Sequence, residues 1–374
     1  MTRYTISLAS SADDAQLRER MALDRIEGAA AISLRREPSY FAGSRLYGAP
    51  VQVIVGRDAS TGRIVATGCR SVTTAHLDGK PQRVAYLSDL RIDPAHRNGF
   101  LLARVYRYLR TLHEADPLPC HTLIYEDNQK ALDSLVGGRA GLPRYVPRAR
   151  LIARGIRLGR KRAERSLPGI ELRRATADEL GEIVRFVNAR RAAHPWSAAL
   201  EVADFSPGGR CDTLRAEDFF VARWHGRICA TIAAWDQSPL RQAHIERYAR
   251  VTQLLRTPYN ILAAVRGLPK LPALGEPLPY LYLAFIAVQD DDAPLCAALL
   301  RHAYNALSGG SWLYALATLH DDDPLLPQFL AYPGTTSVVK LFEVDFSQNG
   351  ECVNVNADTD APSPHRANVE FALA

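Results

Sequence analysis

No two cysteines in this chain have the Cys-x-x-Cys spacing of a zinc or redox site. The six stand apart at Cys69, Cys120, Cys211, Cys229, Cys296 and Cys352. That argues against a zinc ribbon and a disulfide framework, and fits a reducing cytoplasm. No apolar run approaches the roughly 20 residues needed to cross a bilayer, so no membrane partner is expected. The opening MTRYTISLASSADD lacks the apolar stretch of a signal peptide. Histidines are few, and no His/Asp/Glu group has convincing metal spacing; His320-Asp321-Asp322-Asp323 reads as a loop and a helix cap. No metal is therefore expected, and no Ser/His/Asp arrangement can be recognised.

The 374 residues are 47% hydrophobic and 23% charged, the balance of a globular protein with room for two domains. Charge is uneven. Residues 1–168 carry +12 and residues 169–374 carry −6, within a total of +6. A basic first half suits an anionic ligand, and equally suits docking on an acidic second half.

The most informative stretch is Val84 to Leu112. Alternating Val84, Tyr86, Leu90 and Ile92 predict a strand. Asp93-Pro94 ends it, because proline removes a ladder donor. Leu101, Val105, Tyr108, Leu109 and Leu112 then recur at helical spacing. Arg97-Asn98-Gly99-Phe100 lies just before that helix. Free N–H groups at a helix start, with a guanidinium beside them, suit a phosphate or pyrophosphate.

This order of parts resembles the central motif of the GNAT superfamily of acyl-CoA-dependent N-acyltransferases. There the strand lies along pantetheine, and an Arg/Gln-x-x-Gly-x-Gly/Ala loop wraps the CoA pyrophosphate. Arg97 matches the first position of that loop. Ungapped, Phe100 and Leu102 stand at the glycine positions; a one-residue deletion puts Gly99 and Leu101 there instead. The resemblance implies a cofactor-binding set of Leu90, Arg91, Ile92, Arg97, Asn98, Gly99, Phe100, Leu101 and Asn128. Acetyl-CoA is the implied acyl donor. The family's frequent tyrosine acid would fall near Leu135, where there is none.

The pattern extends over nearly the whole chain and resembles a tandem-GNAT protein. The fold class implied is α/β (α+β), with two GNAT-like domains, each a mixed, mostly antiparallel sheet flanked by helices. The boundaries read are 1–165, 166–348 and a loose tail 349–374. In the first half, strands are expected at Tyr4–Leu8, Val51–Val55, Ile64–Val72, Arg83–Ile92, His121–Tyr125 and Arg150–Leu158. Helices are expected after Ser11, at about Gly28 to Arg36, at 100–114 and after Asn128. The second half repeats the order from Ile170 to Phe346. It carries an insertion, Ser238 to Glu276, with a helix expected around Gln242 to Leu255. Ala367 to Leu373 is a candidate edge strand. The second half's counterpart of the pyrophosphate loop, Gln289-Asp290-Asp291-Asp292, is acidic and is not expected to bind CoA.

Acyl transfer to an amine needs a positioned thioester, a base for the ammonium proton and a polarised carbonyl. The resemblance implies a carbonyl-polarising amide between Leu90 and Ile92. Asp89 and Glu126 qualify as bases by position, although Asp89 could pair with Arg91 or Arg70, and Glu126 could cap a helix. Tyr86 and Tyr125 are possible acids or core aromatics, and Tyr145 a pocket wall. His96 and His121 read as structural. The function expected is N-acetyl transfer to an amine acceptor that the sequence does not identify. A CoA-sensing or protein-binding module that has lost catalysis is the alternative. Aminoacyl transfer from tRNA would use the basic run Arg160-Lys161-Arg162, but the acidic second half makes nucleic acid an unexpected partner. An oligomer is compatible with the insertion.

Overall fold

The computed structural model describes residues 3–26, 30–97, 100–137, 141–347 and 366–374. The first half holds β1 (Tyr4–Leu8), α1 (Asp14–Leu23), β2 (Arg25–Ile26), β3 (Ala30–Arg35), α2 (Tyr40–Ser44), β4 (Val51–Asp58), β5 (Ile64–Leu77) and β6 (Lys80–Ile92). It continues with α3 (Leu101–Ala115), β7 (Cys120–Tyr125), α4 (Gln129–Leu135) and β8 (Arg144–Arg157). The second half holds β9 (Ile170–Arg174), α5 (Leu180–Arg191), β10 (Phe219–Trp224), β11 (Arg227–Trp235), β12 (Gln242–Tyr248) and α6 (Arg250–Arg266). It closes with β13 (Tyr280–Val288), α7 (Ala293–Leu307), β14 (Tyr314–His320), α8 (Leu326–Leu330) and β15 (Gly334–Asp345).

Among the described residues twelve strands form one sheet, in the order β1-β4-β5-β6-β7-β15-β8-β14-β13-β11-β10-β9. The sheet is mixed and mostly antiparallel; its two parallel contacts are β6–β7 and β13–β14. It runs through both halves of the chain. The last strand of the second half, β15, lies between β7 and β8, and β8 pairs with β14. Each half's last strand is thus hydrogen-bonded into strands of the other half. Connections between the halves are therefore backbone ladders, whose groups must stay paired once buried.

Apolar residues of α3 (Leu101, Val105, Leu109) meet Ala85, Leu87 and Ile124 on one face of the sheet. The opposite face packs α5 and the chain's last residues against β11, β13 and Tyr86. The connection from β8 to β9 has no helix or strand and is tied to α7 by Asn305, which bonds both Arg162 N–H and C=O at 2.8 Å.

Three expectations need correction. The segment expected as a helix at Gly28 to Arg36 is the strand β3 over its described part. It pairs with β12, which replaces the first part of the helix expected at Gln242 to Leu255; the helix starts later, at Arg250. Ala30 to Leu34 has fair helix propensity, but pairing with a strand more than 200 residues away overrides it. The last residues are neither loose nor an edge strand where described. Ala367, Val369, Ala372 and Leu373 are buried, and Phe371–Leu373 is a single 3-10 turn.

A splayed strand pair beside a helix start

The parallel pair β6–β7 is short. Ala85 faces Cys120 and Tyr86 faces His121, and there the backbone ladder ends. Thr122 Oγ1 adds one bond beyond it, donating to Leu87 O at 2.7 Å. β6 then continues to Ile92, whereas β7 runs on to pair with β15. Two diverging strands leave backbone groups facing a cleft instead of each other.

A bulge bends β6 within the cleft. Its register on β5 shifts between Cys69↔Ser88 and Thr67↔Arg91, so Asp89 and Leu90 stand opposite Gly68 alone. Asp89 has φ +52°, left-handed for a residue with a Cβ. Thr67 Oγ1 bonds Asp89 O at 2.9 Å and pins the turn. Bulges commonly re-aim backbone or side chains next to functional sites.

The Asp89 carboxylate points to neither Arg91 nor Arg70. It meets Arg36 Nη2 at 2.5 Å and accepts from the Tyr40 hydroxyl at 3.0 Å. Arg36 also donates to Ser44 Oγ (2.8 Å) and to the Tyr47 hydroxyl. Burial works against the charge on Arg36, but Asp89 beside it holds its pKa well above the usual value. Burial, and then the Asp89 charge, raise that of Tyr40 well above the usual value. Asp89 is therefore held in the ion pair that anchors the bulge. Arg36, Tyr40 and Tyr47 were not signalled by the sequence; the pair Arg35-Arg36 ahead of Glu37-Pro38 looks like any basic helix end.

Past Ile92 the chain reaches the expected anion site. Arg97 is exposed, and its Nε donates to Ile92 O at 3.0 Å, which fixes the guanidinium beside the end of β6. Asn98 and Gly99 lie outside the described residues. Phe100 precedes α3 with its side chain 85% exposed and provides no side-chain cap. Leu101, the first residue of α3, is fully buried in the core on that face of the sheet. The first turn of α3 contains no acid, and Arg104 lies on it, half-buried. Cations at a helix N-terminus oppose the helix dipole, and an anion there relieves both. The residues present fit a pyrophosphate.

Glu126 N–H continues the ladder to Val338 O at 2.9 Å, and its carboxylate meets Arg150 (3.2 Å) and Lys340 (3.3 Å). The bond from Arg150 holds the Glu126 carboxyl below its usual range. Asn128 caps α4, accepting from Ala131 N–H at 3.2 Å. Leu90 and Ile92 pack against the α3 core, while Arg91 reaches Asp24 at 3.6 Å.

At the fork, Tyr86, His121 and Trp196 stack in sequence, with ring centroids 5.1 and 4.9 Å apart. Burial raises Tyr86 well above its usual pKa and pushes His121 down to about 3. Among the described residues His121 Nδ1 has no hydrogen-bond partner. These three side chains border a cavity of about 20 Å³, also lined by Glu370. That is room for roughly one water. Tyr125 packs edge-on against Phe371. Tyr145 is buried beneath α3 and hydrogen-bonded to Tyr106, so it lines no such cavity. His320, Asp321 and Asp322 bring ligand-type atoms within 4.8 Å of one another. Those atoms already serve the turn: His320 Nδ1 accepts from Asp322 N–H at 3.1 Å, and Asp321 binds Arg150 at 3.3 Å.

The second half has the same fork with different contents. β13 and β14 pair from Tyr280↔Tyr314 to Leu283↔Ala317, and a bulge follows at Phe285, φ +51°. Thr231 Oγ1 bonds Phe285 O at 3.0 Å, as Thr67 does Asp89. Here the bulge N–H donates to Glu370 Oε2 at 2.8 Å, and Glu370 is paired with Arg191 at 2.8 Å. A carboxylate from the chain's own last residues occupies that amide. Asp290 and Asp291 lie before α7, and Asp292 caps it through Leu295 N–H at 2.8 Å.

No family model matches the chain, and no curated protein matches it in sequence. Solved structures do match in fold. Two structures of Saccharomyces cerevisiae N-myristoyltransferase with bound myristoyl-CoA superpose with TM-scores of 0.60 and 0.58, each at 12% identity. The matches cover 99% and 92% of this chain and 85% and 83% of those chains. The chain has the GNAT fold. The short parallel β6–β7 contact and the helices flanking a large, mostly antiparallel sheet belong to that fold. No helix among the described residues is long and apolar enough to cross a membrane.

Proposed function

We propose that this protein is an acyl-CoA-dependent N-acyltransferase that works at the β6–β7 fork. The observation that carries the reading is the contrast between the two helix starts. α3 begins with no acid and with Arg97 and Arg104 nearby, whereas α7 begins at three carboxylates. A pyrophosphate is attracted to the first and repelled by the second. The N-myristoyltransferase structures with this fold hold myristoyl-CoA, which supports the same donor class here.

Acyl-CoA supplies an activated thioester carbonyl. Arg97, Arg104 and the first-turn amides of α3 would hold its pyrophosphate, and the edge of β6 from Leu90 to Ile92 would lie along the pantetheine arm. Asp89, tied to Arg36, holds the bulge that aims the β6 backbone at the carbonyl position. Glu126, kept anionic by Arg150, suits holding an acceptor ammonium at the cleft. Tyr86, kept protonated, can donate a hydrogen bond.

We further propose acetyl as the acyl group. The Thr122–Leu87 bond closes the fork two residues short of the bulge at Asp89. At about 3.3 Å per residue that leaves well under 10 Å of depth along the strand. The division into 1–165, 166–348 and 349–374 is kept as part of this proposal, with catalysis in the first unit and the second shaping the acceptor side. The test is thiol release from acetyl-CoA and from myristoyl-CoA with a panel of small amines and peptide N-termini. Amine-dependent release from acetyl-CoA supports the reading. Release from myristoyl-CoA alone removes the acetyl assignment, and release from neither removes the activity.

A further inference from the structure

Helix α6 is turned inside out. At 100° per residue, Val251, Leu254, Leu255, Ile261, Leu262 and Val265 fall within about 120° of arc. All six are exposed, Leu254 by 78% and Val265 by 82%. The opposite arc faces the following segment, Pro269 to Pro272, and it is largely polar. Arg256 Nε donates to Pro272 O at 2.9 Å. Asn260 exchanges two bonds with Leu271, at 3.0 and 2.8 Å. The Tyr259 hydroxyl donates to Pro269 O at 3.2 Å. A surface helix ordinarily buries its apolar stripe. Here packing uses the polar stripe and leaves a continuous apolar one outward, as interaction surfaces do.

Charge identifies what the stripe meets. α6 contains Arg250, Arg256 and Arg266 and no acid, and Lys270 follows it. Arg250 and Arg266 are exposed and project from the two margins of the apolar arc. Long cations flanking an apolar stripe can reach headgroups while the stripe enters the acyl boundary. A second copy of α6 would bury the stripe but offers these cations no anionic partner, since the helix contains no acid.

We propose that α6 lies in the surface of an anionic lipid bilayer, with its apolar arc among the acyl chains and Arg250 and Arg266 at the phosphates. The chain then needs no spanning helix to work at a membrane. The lack of a long apolar run argues against a spanning helix, and says nothing of a helix lying flat.

The test is flotation of the full-length protein with vesicles of phosphatidylcholine alone or with roughly 30% phosphatidylglycerol. Flotation with the anionic vesicles should exceed that with neutral ones by about tenfold and fall as salt rises. Leu254→Glu with Val265→Glu should abolish it. These positions are exposed, so the melting curve should not move; Gln253→Glu, on the polar side, should still float. Failure to float with anionic vesicles overturns the proposal, as does undiminished flotation of the double variant. A dimer in sedimentation that Leu254→Glu dissociates, with no flotation, assigns the face to a second copy and also overturns it.

Discussion

Asp89 and Arg36 form a buried ion pair, 2.5 Å apart, at the one bend in β6 where the backbone turns into the cleft. The pair ties the bulge to the segment after β3, and β3 is itself paired with β12. Asp89→Ala strands a buried guanidinium, so it should cost about 3–5 kcal/mol in chemical denaturation. Arg36→Met with Asp89→Leu should cost less than Asp89→Ala alone, because no charge is left unpaired. A loss below about 1 kcal/mol for Asp89→Ala would show that the pair is not what holds the bend.

Glu126 gives the complementary case. It is about one-third exposed, so Glu126→Gln should alter stability by less than about 1 kcal/mol. If its carboxylate holds an ammonium, KM for the amine should rise by about tenfold with kcat nearly kept. Equal loss of kcat and kcat/KM would assign Glu126 to the chemical step instead. Because Arg150 holds its pKa low, Glu126 should stay ionised at pH 6, and its variant should not shift the acid limb of the rate profile.

His121 should make stability depend on pH. Its folded pKa is about 3 and the ordinary value 6.5. Between them the unfolded chain takes the proton and the folded chain does not. Stability therefore rises with pH through this window, is complete above about 6.5, and is lost on acidification toward 3. The maximal slope is about 1.4 kcal/mol per pH unit. His121→Phe, which keeps a ring between Tyr86 and Trp196, should lower that slope by up to this amount in denaturation series from pH 7 to 4. An unchanged slope would mean the imidazole is protonated in the folded state.

Glu370→Ala should unpair Arg191 and cost about 3–5 kcal/mol. It should leave the CoA stoichiometry at one, because the acidic start of α7 remains. A second CoA bound per chain of the variant would show that Glu370 alone blocks that fork.

The sequence revealed elements whose signal is local. Alternation marked β6, and Asp93-Pro94 marked its end. Ser10 and Thr176 cap the turns before α1 and α5 in capping boxes, and the second was read directly from Thr176. Long-range partners were not legible. Ala30 to Leu34 reads as helix until β12 lies beside it. Nothing in Asp89 names Arg36 over Arg91 or Arg70. Glu370 sits in a short apolar tail with no periodic signal, yet bonds an amide at Phe285. The interleaving of β15 between β7 and β8 depends on register and partner choice, which the period-two pattern of one strand does not contain.

The central claim is that one CoA pyrophosphate binds at the start of α3, and calorimetric titration of acetyl-CoA and CoA tests it most directly. The account predicts one site per chain. Arg97→Ala should weaken it by about 10- to 100-fold, as expected for one charge-assisted contact to phosphate, and Asp291→Ala should leave it unchanged. No binding at millimolar ligand, two sites per chain, or full affinity in Arg97→Ala would contradict it.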